Sequence, residues 1–217
     1  MTTLILIRHG QSVGNLLKVF CGQKDYDLSE MGEVQAELTA AYLKEHYSID
    51  KIYSSDLTRA YRTAEPTARL YDLPIEKDPC LRELSAGCFE GMSEDRVLNE
   101  DRELFERWRR GEEICPEGGE THSRFQKRVD AFFDRILATD SGKAVAIFSH
   151  WCVVGRALHR FLENHPNKDL LAPPLWIPNG SVSVLRVDER TGEADSLLMG
   201  HGEHLGIFKS AFNGNTV

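Results

Sequence analysis

The stretch Leu4-Ile5-Leu6-Ile7-Arg8-His9-Gly10-Gln11-Ser12 decides the fold. Four consecutive apolar residues predict a short strand buried on both faces, as in a parallel sheet. That strand runs directly into an arginine, a histidine and a glycine. Ligands of open α/β sheets bind beyond the carboxyl ends of the strands, so Arg8 and His9 are carried to the place where chemistry is expected. Gly10 allows a sharp turn or a close approach to a ligand. A second apolar run, Ala144-Val145-Ala146-Ile147-Phe148, ends in Ser149-His150 and repeats the pattern.

Outward from these two strands, the chain alternates strand and helix signals. Ser29 is placed as the N-cap of a helix, with Val34, Leu38, Ala41 and Tyr42 expected on its inner face. Lys51-Ile52-Tyr53-Ser54-Ser55 reads as a strand. A helix from about Asp56 to Tyr71 follows, with Pro66 as a candidate kink. Residues 75–84 read as extended and end in Leu81-Arg82-Glu83. After residues 93–111, which are polar and helical, Thr121 or Ser123 caps the clearest helix in the chain. Its Phe125, Val129, Phe132, Phe133, Ile136 and Leu137 keep helical spacing. A further helix after His150 turns Val153, Val154, Ala157, Leu158, Phe161 and Leu162 inward. Val182 to Val187 and Ala194 to Met199 form two closing strands around a turn that contains Gly192. This order predicts one α/β domain over residues 1–217, a three-layer α/β/α sandwich with a mostly parallel central sheet. Residues 88–120 interrupt the alternation and read as a small helical cap over the site.

Composition narrows the function. The apolar fraction is 41% and the charged fraction 28%, as in a soluble globular protein. The net charge of −8 argues against nucleic acid as a partner. No run is long enough to span a membrane, no signal peptide is visible, and five cysteines without a C-x-x-C pair fit reduced thiols in the cytoplasm. An acidic protein repels a phosphorylated substrate at long range, so its attraction must come from a few cations focused in one pocket.

Two strand ends with histidine, each turning into a helix, present backbone N–H groups and partial positive charge that favour an anion, phosphate above all. Arg8 and Arg59 can add bidentate contacts to phosphoryl oxygens. Glu83 supplies a carboxyl group for acid or base work. Together these residues describe phosphoryl transfer without a metal.

The motif Leu6-Ile7-Arg8-His9-Gly10-Gln11-Ser12 with Asn15 resembles the signature of the histidine phosphatase superfamily, also called phosphoglycerate-mutase-like. Further blocks match in the family's order. They are Phe20-Cys21-Gly22 with Asp25 to Ser29, Tyr53 to Ala60 with Thr63-Ala64, Leu81-Arg82-Glu83 with Phe89-Glu90-Gly91, Phe148-Ser149-His150, and Asn179 to Ser183. The resemblance implies the family fold and a phosphohistidine intermediate. It makes His9 the nucleophile, with its other ring nitrogen donating to a backbone carbonyl. It assigns Arg8, Arg59 and His150 to the phosphoryl oxygens and Glu83 to the leaving oxygen. Asn15, the Cys21-Gly22 backbone and Trp151 are expected to contact phosphate or substrate. No organic cofactor and no metal are implied. The partner is a small-molecule phosphate ester, with the protein a monomer or a homodimer and neither nucleic acid nor membrane involved.

The family divides by the acceptor of the phosphoryl group. Gln23 stands where mutases usually carry tryptophan, Ala86 where they carry tyrosine, and Trp151-Cys152 where they carry glycine and asparagine. The phosphatase reading is therefore preferred. A 2,3-bisphosphoglycerate-dependent mutase is the alternative, since Arg109-Arg110 resembles the mutase pair that grips a carboxylate; the plainer reading is a solvated helix face. A non-catalytic phospholigand-binding protein is the third reading. His201-Gly202-Glu203-His204 has metal-like spacing but nothing nearby completes a ligand set, so a C-terminal loop is expected. Phe89, Trp108 and the cap helix are expected to select the alcohol.

Overall fold

The computed structural model describes residues 1–163 and 175–209. A six-stranded sheet forms its centre, in the order β3-β2-β4-β1-β5-β6. The strands are β1 Thr2–Arg8, β2 Lys51–Ser54, β3 Ile75–Lys77, β4 Ala144–Ser149, β5 Val182–Val187 and β6 Ala194–His201. β1, β2, β3 and β4 pair in parallel, while β5 lies antiparallel to both β1 and β6. The mostly parallel sheet expected from the apolar runs is present, and β1 sits inside it, flanked by β4 and β5.

The alternation of β1 splits the core into two layers, because successive strand residues face opposite sides. Leu4 and Leu6 pack with Val145, Ile147 and Leu185 on one face, under α5 (His122–Thr139) and α6 (Trp151–Leu162). Ile5 and Ile7 pack with Ala146, Phe148, Val182 and Val184 on the other, under α2 (Glu30–His46) and α3 (Thr58–Tyr71). Each such side chain removed from water contributes about 1.5–3 kcal/mol. Thr121 is the N-cap of α5 and accepts from the Arg124 N–H, so the cap falls on the first of the two candidates. α3 runs on through Pro66 as one helix.

The inner face of α2 differs from the expectation. Val34 is 38% exposed, and Gln35, Ala36, Thr39, Ala40 and Leu43 are buried instead. Small residues let α2 lie close to α3, and the polar ones are paired. Gln35 Oε1 accepts from the Gln11 N–H at 2.7 Å, and Thr39 Oγ1 donates to Gly180 O at 3.0 Å. The helix is thus placed by its hydrogen bonds to the loops around β1, and the apolar stripe of Leu38 and Tyr42 is left half-buried. His201 and His204 stack on the Tyr42 ring, with centroids 4.9 and 4.7 Å away.

The short α1 (Val13–Leu16) starts at Ser12 and is closed by a capping box between Ser12 and Asn15. Between β3 and α5 lies α4 (Glu94–Arg109), capped by Ser93. The φ/ψ of Asp101 break it, and Asp101 Oδ1 accepts from the Leu104 N–H at 3.0 Å to restart the second half. This half buries Phe105 and Trp108 against Phe89 and Phe20. Phe89 and Trp108 are each 3% exposed, so they join this segment to the body and do not form an open wall for the alcohol. No helix among the described residues is long and apolar enough to cross a membrane.

Candidate active site

Parallel pairing with Arg8 opposite Ser149 puts the next residues, His9 and His150, side by side beyond the sheet. The His9 N–H donates to Ser149 O at 2.9 Å, and the two rings meet with centroids 5.1 Å apart. β2 ends beside β4, and the Ser55 N–H reaches Phe148 O at 2.9 Å. Arg59 follows on the first turn of α3. β3 ends beside β2, where the Asp78 N–H donates to Ser54 O, and leads through a turn at Pro79–Leu81 to Glu83. Ser149 Oγ fastens that turn by donating to Leu81 O at 2.7 Å. Four parallel strand ends therefore gather His9, His150, Arg59 and Glu83, with Arg8 the last residue of β1.

All five are buried: Arg8 8%, His9 3%, Arg59 0%, Glu83 6% and His150 0% exposed. His9 Nδ1 lies 2.6 Å from Gly10 O. A carbonyl only accepts, so Nδ1 carries the ring proton and Nε2 is left with its lone pair. Burial, with Arg59 and Arg8 beside it, holds the His9 imidazole well below the usual histidine range. The same burial and cations hold His150 low. His150 Nε2 is 2.9 Å from Ser55 Oγ, which also accepts from the Leu57 N–H. A serine hydroxyl accepts two bonds and donates one, so either atom can be the donor in this contact; when Ser55 donates, the ring proton sits on His150 Nδ1, which is buried and has no protein partner.

Each arginine has part of its fork tied to backbone. Arg8 Nη1 donates to Ile177 O at 2.7 Å, and Arg59 donates to Gly22 O at 2.7 Å and Lys24 O at 3.0 Å. Their Nε atoms are buried and have no protein partner. Burial pushes Arg8 down to about 10, which still leaves it a cation at neutral pH. The Glu83 carboxylate accepts from the Leu84 N–H at 2.9 Å and from the Cys152 N–H at 3.2 Å, the latter on the first turn of α6. Two buried cations, two neutral imidazoles and one carboxyl group thus share a small volume. The arrangement can bind a tetrahedral dianion, attack it from one side and deliver a proton on another.

The remaining candidates are placed as follows. Asn15 Oδ1 accepts from the Ser12 N–H and from Asn179 Nδ2 at 3.2 Å. Cys21 is buried beside Ser12, and burial pushes its thiol up. Gly22 has φ +46 and gives its carbonyl to Arg59, which makes the Cys21-Gly22 turn a brace for that arginine. Trp151 is half-buried at the start of α6. Arg109 and Arg110 are exposed on the end of α4 and paired with Glu94 and Glu112, as a solvated face requires. Cys152 is half-buried and enters the site through its backbone N–H. Among the described residues no group of three or more His, Cys, Asp or Glu is arranged to hold a metal ion.

Four residues of the site escaped the sequence reading. Asn179, 7% exposed, donates from Nδ2 to His9 O at 3.1 Å and so holds the nucleophile's backbone. Ser55 Oγ is the hydrogen-bond partner of His150 Nε2 at 2.9 Å. Gln23 Nε2 and Arg128 Nη2 both donate to Glu83 O, at 3.1 and 2.9 Å. Asn179 was legible only as part of a block that resembles the family, because a long-range contact to a carbonyl leaves no local signal.

The family model of the histidine phosphatase superfamily (branch 1) matches residues 4–198. The chain spans 41% of the length of mycobacterial relatives that it matches at 35% identity over 149 residues. It is 33% identical to phosphoserine phosphatase 1 of Hydrogenobacter thermophilus, covering 88% of this chain and 89% of that protein. It is 32% identical to a 2,3-bisphosphoglycerate-dependent phosphoglycerate mutase of Nitrosococcus oceani, covering 85% and 89%. Among solved structures, Bacillus stearothermophilus YhfR superposes with a TM-score of 0.82 at 28% identity, over 94% of this chain and 100% of that one. With a family match across nearly all of the strands that build the site, the chain belongs to the histidine phosphatase superfamily.

Proposed function

We propose that this protein is a metal-independent phosphomonoester hydrolase that acts on a small phosphorylated metabolite through a phosphohistidine at His9. One observation carries the reading: His9 donates from Nδ1 to Gly10 O, which leaves Nε2 unprotonated beside two buried guanidinium groups. Nε2 attacks phosphorus in line with the departing oxygen. Arg8, Arg59 and the His150 Nδ1–H hold the three equatorial oxygens, whose charge has to be balanced as the bond to the leaving group breaks. Glu83 gives that leaving oxygen a proton, then takes one from the water that attacks the phosphohistidine. Asn15, the Cys21-Gly22 turn and Trp151 line the substrate side. The enzyme works in the cytoplasm, where its five free thiols stay reduced.

The phosphatase reading is favoured over the mutase because Arg109 and Arg110 are committed to Glu94 and Glu112, and a mutase must grip the carboxylate of its substrate. The test uses purified protein in EDTA with p-nitrophenyl phosphate, O-phosphoserine, and 3-phosphoglycerate primed with 2,3-bisphosphoglycerate. Phosphate release in EDTA, lost in His9→Ala together with an acid-labile phosphoenzyme, is the expected result. Fast formation of 2-phosphoglycerate with little free phosphate would make the protein a mutase. Silence on all three, with full binding of inorganic phosphate, would make it a binding protein.

A further inference from the structure

Glu83 sits on a connection between a short turn and a loop, not on a helix or strand, yet a proton donor has to be held to a fraction of an ångström. Its support comes from α5. Arg128 has five N–H donors, and all of them are spent. Nε and Nη2 fork onto Glu120 at 2.7 and 2.8 Å. Nη1 donates to Cys80 O at 2.8 Å and Arg82 O at 2.7 Å, and Nη2 also donates to Glu83 O at 2.9 Å. Glu120 is 8% exposed, and its second oxygen accepts from the Ser85 N–H at 3.3 Å. Its own N–H donates to Ser85 O at 3.1 Å. The backbone is therefore clamped before Glu83, at Glu83 and after it. The clamp continues outward, since Trp108 Nε1 on α4 donates to Glu120 O at 3.2 Å.

From this we infer that the Arg128–Glu120 pair is a positioning device for Glu83, and that Trp108 couples it to α4. The inference rests on Glu83 being the proton donor. A guanidinium fork that bridges one carboxylate and three carbonyls cannot be replaced by the point charge of a lysine. A loosened Glu83 would matter only where the leaving oxygen needs a proton. p-Nitrophenolate departs without one, whereas an alkoxide does not.

The full-length variants Arg128→Lys, Glu120→Gln and Glu83→Gln are compared with the unchanged protein on p-nitrophenyl phosphate and n-propyl phosphate, reading kcat/KM for each. This parameter covers the steps up to loss of the alcohol. Glu83→Gln sets the full effect, a loss of about 10²–10⁴-fold on the propyl ester and far less on the nitrophenyl ester. Arg128→Lys and Glu120→Gln are expected to show the same asymmetry at about a tenth of that size, with the nitrophenyl ester changed less than about threefold. Equal losses on the two esters, or no loss on either, overturn the inference while leaving Glu83 as donor. If Glu83→Gln itself shows no asymmetry, the donor assignment fails and the inference falls with it. If neither pair variant folds by circular dichroism, the pair is a structural prop and the inference is wrong.

Discussion

The rings of His9 and His150 meet edge to face, with centroids 5.1 Å apart and planes inclined by 62°. The contact follows from one register, Arg8 opposite Ser149, in the pairing of two adjacent parallel strands. Two imidazoles this close, buried with two guanidinium groups, are both held neutral. Neutrality leaves His9 with a lone pair for phosphorus and His150 with a single N–H.

A pH dependence of stability follows from that burial. Both histidines titrate well below their unfolded value of about 6.5. Their contribution to folding is therefore complete above that value and is lost as pH falls toward the depressed folded values. In that window the unfolded chain binds protons that the folded chain refuses, at up to about 1.4 kcal/mol per pH unit for each histidine. Urea unfolding at pH 7.5, 6.5 and 5.5 should show most of the loss in the lower interval. His150→Asn should flatten that slope; an unchanged slope would place the acid sensitivity elsewhere.

His150→Ala removes one donor and keeps the nucleophile. Turnover should fall about 10²–10³-fold, the usual cost of one donor lost from a preorganised site. Acid-labile label should still appear at His9. Turnover within tenfold of the unchanged protein would show that the two arginines suffice for the phosphoryl oxygens.

Arg59 is fully buried and holds Gly22 O and Lys24 O. Arg59→Lys keeps the charge but loses the fork, so one carbonyl is left unpaired. Activity should fall by at least about 10²-fold, and stability by about 1–3 kcal/mol for the stranded acceptor. Denaturant midpoints read beside kcat/KM separate the two losses. Full activity at lowered stability would confine Arg59 to bracing the turn.

Much of this site could be read from local sequence, and the reasons are particular. Leu4 to Ile7 and Ala144 to Phe148 are short apolar runs, and a run that ends in histidine states both its burial and its destination. The inner face of α2 could not be read that way. Its Gln35 and Thr39 are buried because loops distant in sequence supply the partners, and Val34 is exposed because no partner faces it. Phe89 and Trp108 were legible as aromatic, but their burial against Phe105 depends on where α4 folds back. Asn179 lies 170 residues from the carbonyl that it holds, so its role appears only when β5 closes beside β1.

Asn179→Ala tests that role. It removes the bonds to His9 O and Asn15 Oδ1, of which the first keeps the Gly180 N–H and the second keeps Ser12. A cost of about 0.5–1.5 kcal/mol in urea unfolding is expected, with a fall in kcat larger than any rise in KM, since the nucleophile and not the binding pocket is loosened. A rise in KM alone would put Asn179 on the substrate.

Gly22 and Glu90 supply the last prediction. Gly22 has φ +46, and a Cβ built there would come 2.2 Å from Glu90 Oε1. The carboxylate cannot simply swing away. The same oxygen accepts from the Gln23 N–H at 2.9 Å, the Ala86 N–H at 3.1 Å and Ser85 Oγ at 3.2 Å, so it ties the turn that braces Arg59 to the loop leading away from Glu83. Gly22→Ala therefore incurs a left-handed backbone cost of about 1–2 kcal/mol, and displaces a shared acceptor worth about 1–3 kcal/mol more. Glu90→Ala alone forfeits the acceptor but makes room. In the double variant the steric part disappears, so the two losses should sum to more than the loss that the double variant shows, by about 0.5–3 kcal/mol. Strict additivity in denaturant unfolding would mean that the turn shifts away from Glu90 freely. Arg59 would then owe its position to α3 alone, and Gly22→Ala would leave kcat unchanged.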